Sequence, residues 1–449
     1  MKKRLRWGSN RAGRLALLLL SSLSAAAQAP ASNPVLPEVT LQSAIDYAIR
    51  YQPRIQQSLI DEEITNANIR SRLSDWYPQV NFNYNLQHNF ILQTSIIGGN
   101  AIKFGVDNTS YGQFTLSQAL FNRDVLLANK TKKDVRLQSR QTTESNKIDL
   151  VVNVTKAFYD VLATQQQIRV AEENIARNER SLRDATSQYQ AGVTDKIDYK
   201  RATISLNNIR ATKNGAVALL DAKVAYLKSL MGYPENETLA VVTDSLAMEN
   251  SIYLDTLQQP DYTARVEYRQ LETQRSLLRS SIQYNKQSFL PTASLIGAYN
   301  LNYQNNDFNK LYLNNFPNSY AAVTVGLPLF QGGKRWANIR AAKLQLSRSD
   351  EDVINIKNVV NQQYEQSLAT YKSSLENYNA LKENVSIAQE VYDVVQLQYK
   401  SGIKTYLEVI TAETDLRSAQ INYFNALYQV LAGKTDVQKA LGQITFTTP

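Results

Sequence analysis

The sequence predicts a mainly α-helical fold with short β-hairpins, in which one unit occurs twice: a helix, a β-hairpin and a long helical hairpin. The first observation is a duplicated segment, Gln188–Asp198, which recurs about 210 residues later as Gln398–Glu408. The second is that long stretches around both copies place apolar residues three or four positions apart, which is typical of amphipathic helices. The third is a run of two-residue alternation ahead of each long helical stretch, which is typical of a strand with one apolar face.

The first 27 residues have the features of a secretory signal peptide. Basic residues precede an apolar run, Leu15–Leu20, and Ala25–Ala27 offers the small side chains of a cleavage site. Removal of residues 1–27 would leave 43 basic and 40 acidic residues, a net charge near +3. Because most of the excess positive charge belongs to this leader, nucleic acid is not an expected partner.

The amino-acid composition excludes cysteine-based sites, and the hydropathy pattern gives no membrane-spanning helix. The sequence contains no cysteine, which excludes a disulfide framework, a thiol nucleophile and thiolate metal sites. No stretch of about 18 apolar residues follows the leader, so no membrane-spanning helix is expected.

Residues 28–232 form the first predicted unit. Thr40 is a suitable N-cap for its first helix, which resumes after Pro53 and stops near Pro78. After the strands, a helical period holds over nearly 70 residues, which corresponds to a rod of roughly 100 Å. We expect this rod and its return helix to span about 122–232.

A β-hairpin interrupts the helices of the first unit. Alternating apolar and polar residues from Val80 to Leu86 predict one strand, and a weaker alternation that ends near Leu120 predicts its partner. The hairpin would cover about 79–121, with a loop at roughly 93–110.

The second unit repeats this order at 261–434. Its hairpin is expected at about 292–330 and its long helical hairpin at about 331–432. Between the units, residues 233–260 have a mixed pattern and are predicted to form an irregular insert. The C-terminal tail at 435–449 has no clear signal.

Each long helical hairpin is predicted to turn at a glycine. Gly192 and Gly402 follow the ends of the two long helical patterns, and polar residues able to start a helix come next. A glycine at this position can adopt the left-handed conformation that ends a helix. The turns are therefore expected at the two tips of the molecule.

Four predicted strands are too few to close a membrane barrel, which needs about eight, and an open edge in lipid would leave backbone groups unpaired. Several chains would therefore have to share one barrel. A soluble β-hairpin subdomain is the alternative interpretation of the same strands.

The order of elements and several motifs resemble the TolC family of outer-membrane efflux proteins, over residues 38–442. No single motif is specific to this family, but the order of the motifs and their duplication are. The matching motifs are Leu41–Ile45 followed by Gln52-Pro53, Ala191–Thr194, and Leu327–Gly333.

This resemblance implies a homotrimer whose chains form a twelve-stranded β-barrel in the outer membrane, continued by a twelve-helix α-barrel through the periplasm. It also implies a passive exit duct of a tripartite efflux pump or a type I secretion system. A periplasmic adaptor protein, an inner-membrane transporter and outer-membrane lipid would be its partners. No cofactor and no metal site are expected.

The resemblance also implies roles for residues at the tips. The adaptor would dock on the tip turns, which are Gly192, Val193, Thr194, Gly402 and Ile403. The closed entrance would be built from Asp198, Tyr399, Lys404 and Glu408, with iris-like opening of the helix tips. In a three-fold assembly each acid forms a ring that favours cations. Family members can carry a second aspartate one turn after the position of Glu408, but this chain has Thr411, which predicts weaker cation binding.

Other interpretations have less support in the sequence. The segment Gly332-Gly333-Lys334 lacks the first glycine and the Ser or Thr of a phosphate-binding loop. His88 is the single histidine, which leaves little basis for the catalytic triad of a hydrolase. No enzyme is therefore predicted. Tyrosines such as Tyr371 and Tyr378 could line a substrate ladder, but large side chains that fill a helical seam are favoured. An exported coiled-coil filament of the flagellin type is the alternative function.

Overall fold

The computed structural model describes residues 33–242 and 245–446, so the predicted signal peptide at 1–27 lies outside the described residues. The helices in the described part are α1 (Leu41–Tyr51), α2 (Pro53–Ser74), α3 (Arg123–Gln190), α4 (Lys196–Met231), α5 (Ser245–Asn250), α6 (Val266–Lys286), α7 (Lys334–Lys400) and α8 (Tyr406–Ala440). The strands there are β1 (Gln79–His88), β2 (Gln93–Ile97), β3 (Asn100–Phe104), β4 (Asn108–Phe121), β5 (Thr292–Asn305) and β6 (Asn318–Gly326). The predicted fold class, mainly α with β-hairpins, is confirmed.

The start of the first helix follows from its sequence. The hydroxyl of Thr40 accepts a hydrogen bond from the Ser43 N–H at 3.3 Å, and the Ser43 hydroxyl accepts from the Thr40 N–H at 2.9 Å. This reciprocal pair satisfies two backbone donors and confirms Thr40 as the N-cap. Pro53 is the first residue of α2, where a missing N–H costs no helical hydrogen bond.

Strands from both units join in one antiparallel sheet with the order β1-β4-β5-β6. The two hairpins meet through the β4–β5 pairing, in which Phe114 lies opposite Tyr299. Because opposed residues share a face, the register gives one apolar face and one mostly polar face. The apolar face includes Val80, Phe82, Tyr84, Leu86, Phe114, Leu116, Leu295, Tyr299, Leu301, Val323 and Val325.

The apolar face is not covered by other parts of the described chain. Phe82 is 56% exposed and Val323 is 63% exposed. β1 and β6 are the outer strands of the sheet, and each pairs on one side within the described residues. The sheet therefore presents an exposed apolar surface between two open edges.

The loop predicted at roughly 93–110 is wrong over 108–110, which begins β4, and over 93–104, which forms two strands. β2 and β3 form a separate two-stranded hairpin there, with Gln93 opposite Phe104. Gly98 and Gly99, both at positive φ, occupy its turn. A Gly-Gly pair is a known hairpin signal, but these short strands alternate too weakly to be predicted from periodicity alone.

The predicted boundary at 434 is also wrong, because α8 continues to Ala440. Gly433 does not end the helix. A Cβ added there would lie 3.4 Å from the Cα of Tyr371, so this glycine allows α7 and α8 to approach closely. The helix ends before Gly442, which has a φ of +71°. The tail at 435–449 is thus helical in its first part.

The long helices pair as two hairpins, α3 with α4 and α7 with α8. At 68 and 67 residues, α3 and α7 each extend roughly 100 Å. The main hydrophobic core lies midway along them, where α1 and the insert pack against both hairpins. Among the described residues, no helix is both long and apolar enough to cross a bilayer.

Tyrosines of α7 hold the insert against the rods. The Tyr371 hydroxyl donates to the Ile252 carbonyl at 2.9 Å and accepts from the Leu254 N–H at 3.1 Å. One heptad away, Tyr364 donates to the carbonyl of Gln258. Tyr371 and Tyr364 are 1% and 3% exposed, so they act as packing residues and not as an open ladder.

Candidate functional site at the helix tips

The two tip turns have the same backbone geometry. Gly192 has a φ of +74°, its N–H donates to the Tyr189 carbonyl, and the Val193 N–H donates to the Gln188 carbonyl. Gly402, at +75°, and Ile403 repeat both hydrogen bonds with the carbonyls of residues 399 and 398. This is the Schellman motif, which satisfies the last helical carbonyls. The predicted glycine turns are confirmed.

Both turns expose an apolar side chain. Val193 is 73% exposed and Ile403 is 71% exposed. Thr194, which follows Val193, is half-buried, and its hydroxyl has no hydrogen-bond partner among the described residues. Each helical hairpin therefore has one exposed apolar side chain at its tip.

Lys404 and Glu408 are joined to each other. The Lys404 ammonium lies 2.6 Å from Glu408 Oε1, and the Thr405 N–H donates to Glu408 Oε2 at 2.8 Å. The hydrogen bond from Lys404 and the one from the Thr405 backbone lower the pKa of Glu408 to about 2. Within this chain, Glu408 thus caps the start of α8 as an ionised carboxylate.

Tyr399 connects different helices. Its hydroxyl donates to Gln188 Oε1 at 3.1 Å, which ties α7 to α3. Burial raises the pKa of Tyr399, and the nearby Asp198 carboxylate raises it further. Tyr399 therefore remains a neutral hydrogen-bond donor at physiological pH.

Asp198 and Glu408 are not brought into contact within one chain. Asp198, in the first turn of α4, is half-buried beside Tyr399 and has no side-chain hydrogen bond or ion pair in the part of the chain that the structure describes. Thr411 donates to the carbonyl of Leu407 in its own helix. No cluster of His, Asp or Glu residues suited to a metal ion occurs in the described ranges.

A buried polar cluster near the tips was not found by sequence reasoning. Glu413 of α8 is 5% exposed and accepts a hydrogen bond from the side chain of Asn178 in α3. Burial raises the pKa of Glu413 to about 7. A signal was present, because Glu413 lies four residues after Val409 and three before Leu416, both buried, and so shares the apolar stripe of α8.

Comparisons with known proteins agree with this architecture. The profile of the family described as outer membrane efflux protein matches residues 44–233 and 265–443. The outer membrane protein TolC of Salmonella enteritidis is 23% identical over 405 residues, which is 87% of this chain and 79% of that protein. The outer membrane efflux protein BepC of Brucella suis is 22% identical over 436 residues, 96% of this chain and 90% of that protein.

Two further proteins are similar. The alkaline protease secretion protein AprF of Pseudomonas aeruginosa is 21% identical over 399 residues, 86% of this chain and 80% of that protein. The crystal structure of the open state of the MtrE outer membrane channel of Neisseria gonorrhoeae has a TM-score of 0.70, with 19% identity, and covers 90% of this chain and 88% of that one. Since the family profile matches both units over most of their length, the chain belongs to the outer membrane efflux protein family.

Proposed function

We propose that this protein is the outer-membrane exit duct of a tripartite efflux pump or a type I secretion system. It conducts substrate passively from the periplasm to the outside. The observation that carries this proposal is a sheet with one exposed apolar face and two open edges at the end of rods of roughly 100 Å. Family membership supports the duct and not the exported filament, and no enzymatic activity is proposed.

The open edges support assembly as a homotrimer. An isolated edge in lipid would leave the backbone groups of β1 and β6 unpaired, which a membrane protein does not tolerate. Three copies joined edge to edge give twelve strands and place the apolar face toward outer-membrane lipid. The four long helices of each copy then give a twelve-helix α-barrel that extends into the periplasm.

The tips are the proposed docking sites for a periplasmic adaptor protein, which links the duct to an inner-membrane transporter. Exposed Val193 and Ile403 offer apolar anchors on identical turns, so one adaptor element could recognise both. Gly192, Thr194 and Gly402 shape these turns.

The entrance is proposed to close where Asp198, Tyr399, Lys404 and Glu408 converge around the three-fold axis. The bond from Tyr399 to Gln188 joins the two hairpins of one chain and would have to break for an iris-like opening. In the trimer, the Asp198 and Glu408 carboxylates form rings that bind cations.

Conductance in planar lipid bilayers tests the duct and the gate together. The double variant Asp198→Asn and Glu408→Gln removes charge from the rings while it keeps side-chain size and the hydrogen-bond acceptor that caps α8. We expect a higher single-channel conductance and a Mg²⁺ blocking constant weakened by roughly tenfold, about 1.4 kcal/mol.

The matched control is Glu351→Gln with Asp352→Asn, which changes the same charge at exposed positions of α7 far from the tips. Equal conductance and block in the tip variant and the control would contradict the gate assignment. A wild-type protein that forms no channel at all would contradict the duct.

A further inference from the structure

Polar side chains from the two helical hairpins meet in a buried seam near the tips. Glu413 of α8 is 5% exposed and Asn178 of α3 is 1% exposed. The Asn178 amide nitrogen lies 2.5 Å from Glu413 Oε1, and the Arg177 Nε lies 3.9 Å from the same oxygen. Because α3 and α8 belong to different hairpins, this contact must change whenever the hairpins separate.

The hydrogen bonding of this pair is incomplete when Glu413 is ionised. The carboxylate accepts from the Asn178 amide N–H, but the buried Asn178 Oδ1 has no partner among the described residues. A carboxylic acid and a primary amide can form two hydrogen bonds, since the acid O–H donates to the amide oxygen. Protonation of Glu413 therefore supplies the donor that Asn178 lacks, and an unpaired buried acceptor is costly.

Charged and titratable groups of all four long helices act on Glu413 or on the tyrosines beside it. These groups are Arg177, Arg180 and Asp184 of α3, Asp198 of α4, Tyr392, Asp393 and Tyr399 of α7, and Tyr406 and Arg417 of α8. Burial raises the pKa of Glu413 by more than the positive charges of Arg177 and Arg417 lower it, and the pKa is about 7. The carboxyl group thus titrates within the range of pH that an exported protein meets.

We propose that Glu413 and Asn178 form a proton-sensitive latch, which holds α8 against α3 when Glu413 is protonated and favours closed tips. The Glu413 latch rests on the proposed function for its effect on conduction. It differs from the tip residues because it lies inside one chain, in the seam between hairpins, and not on the surface of the entrance.

The direction of the pH effect follows from the pKa. An acid whose pKa is raised in the closed form stabilises that form at low pH, and the stabilisation is lost as pH rises from the ordinary value of 4.5 through about 7. If the open form exposes Glu413 to water, the equilibrium between open and closed tips shifts toward open by up to roughly 300-fold across this range.

Conductance of the full-length protein between pH 5 and 9 tests the latch. We expect the wild type to open more as pH rises, with a midpoint near 7. Glu413→Gln keeps two hydrogen bonds to Asn178 without an ionisable group, so it should remain closed over the whole range. Glu413→Ala should be open more often at every pH, because Asn178 loses its partner.

The control is Asp415→Asn, which removes an exposed carboxylate from the same helix and should keep the wild-type pH profile. A Glu413→Gln protein with the wild-type profile would overturn the latch.

A second measurement separates the latch from the duct. Amide hydrogen exchange around Asn178, corrected for the intrinsic effect of pH, should show protection that falls above pH 7 in the wild type and stays constant in Glu413→Gln. If the protein forms no channel at any pH, the proposed duct function is refuted. The hydrogen-exchange measurement then still tests the latch by itself. Equal loss of protection in both proteins overturns the latch.

Discussion

Arg265 shows how much one side chain contributes to the packing of the rods. Its guanidinium group is buried and forms a bidentate ion pair with Glu267 at 2.9 and 3.0 Å. It also donates to the Lys439 and Ala440 carbonyls at the end of α8 and to the Gln363 side chain of α7. One residue thus caps a helix and joins three elements.

Arg265→Met should destabilise the protein by about 1–3 kcal/mol, because the Lys439 and Ala440 carbonyls would lose their buried donor and the half-buried Glu267 would lose its ion pair. Thermal unfolding measures the change. Arg340→Met is the control, since Arg340 is exposed on α7 and its loss should change stability little. A similar melting temperature for the two variants would refute this role.

The pH dependence of this site follows from the ion pair. Burial alone would raise the pKa of Glu267, but the hydrogen bonds from Arg265 and from the backbone, together with the charges of Arg265 and Lys439, outweigh it and lower the pKa. A lowered pKa gives stability that is present above the ordinary value of 4.5 and is lost as pH falls through the lower value in the folded protein. The site therefore contributes to acid sensitivity.

Among the secondary-structure elements, the two hairpin tips have the same turn geometry but differ in the residues that follow the turn. The Schellman geometry is repeated at Gly192 and Gly402, and each turn exposes one apolar side chain. The residues that follow differ: Glu408 pairs with Lys404 and caps α8, whereas Asp198 in α4 has no such partner in the described chain. The shared feature is the turn, which suits a repeated docking contact.

Val193→Asp together with Ile403→Asp should weaken adaptor binding at least tenfold, about 1.4 kcal/mol, because a carboxylate would have to be buried in an apolar contact. Thermal stability should be unchanged, since both side chains are more than two-thirds exposed. Binding of the purified adaptor measures the effect. Leu257→Asp is the control, at a position 86% exposed and in the insert. Full adaptor binding by the tip variant would place the docking contact elsewhere.

At the scale of the whole molecule, the sheet is the part that a single chain leaves incomplete. Its apolar face lies in the open and its outer strands, β1 and β6, are each paired on one side in the described residues. The protein has an extensive packed core midway along its rods, so an exposed apolar face fits the proposed contacts with lipid and with further copies of the chain.

Neighbouring residues of β6 give a matched test of the proposed lipid-facing surface. Val323→Arg places a charge on the apolar face and should cost about 2–4 kcal/mol of stability in lipid. Thr324→Arg introduces the same side chain one residue later, on the opposite face, where the cost should be small. Urea unfolding from lipid vesicles measures both. Equal losses would show that the apolar face does not meet lipid.

The sequence alone determined the local parts of this protein. The repeated glycine turns, the N-cap at Thr40 and the two long helices follow from short-range rules of backbone conformation and periodicity, which operate within a few residues. Tip residues were proposed from the sequence as well, but only through a family resemblance.

Tertiary structure decided what depends on distant partners. The β4–β5 pairing, the close approach of Gly433 to Tyr371 and the contact between Asn178 and Glu413 each join residues at least 60 positions apart. From the sequence alone, a polar side chain in an apolar stripe can be either a buried residue with a hydrogen-bond partner or an exposed interruption of the stripe. Only the structure shows whether such a partner is present. The physical reason is that burial, and with it the pKa of Glu413, is set by side chains that arrive from other helices.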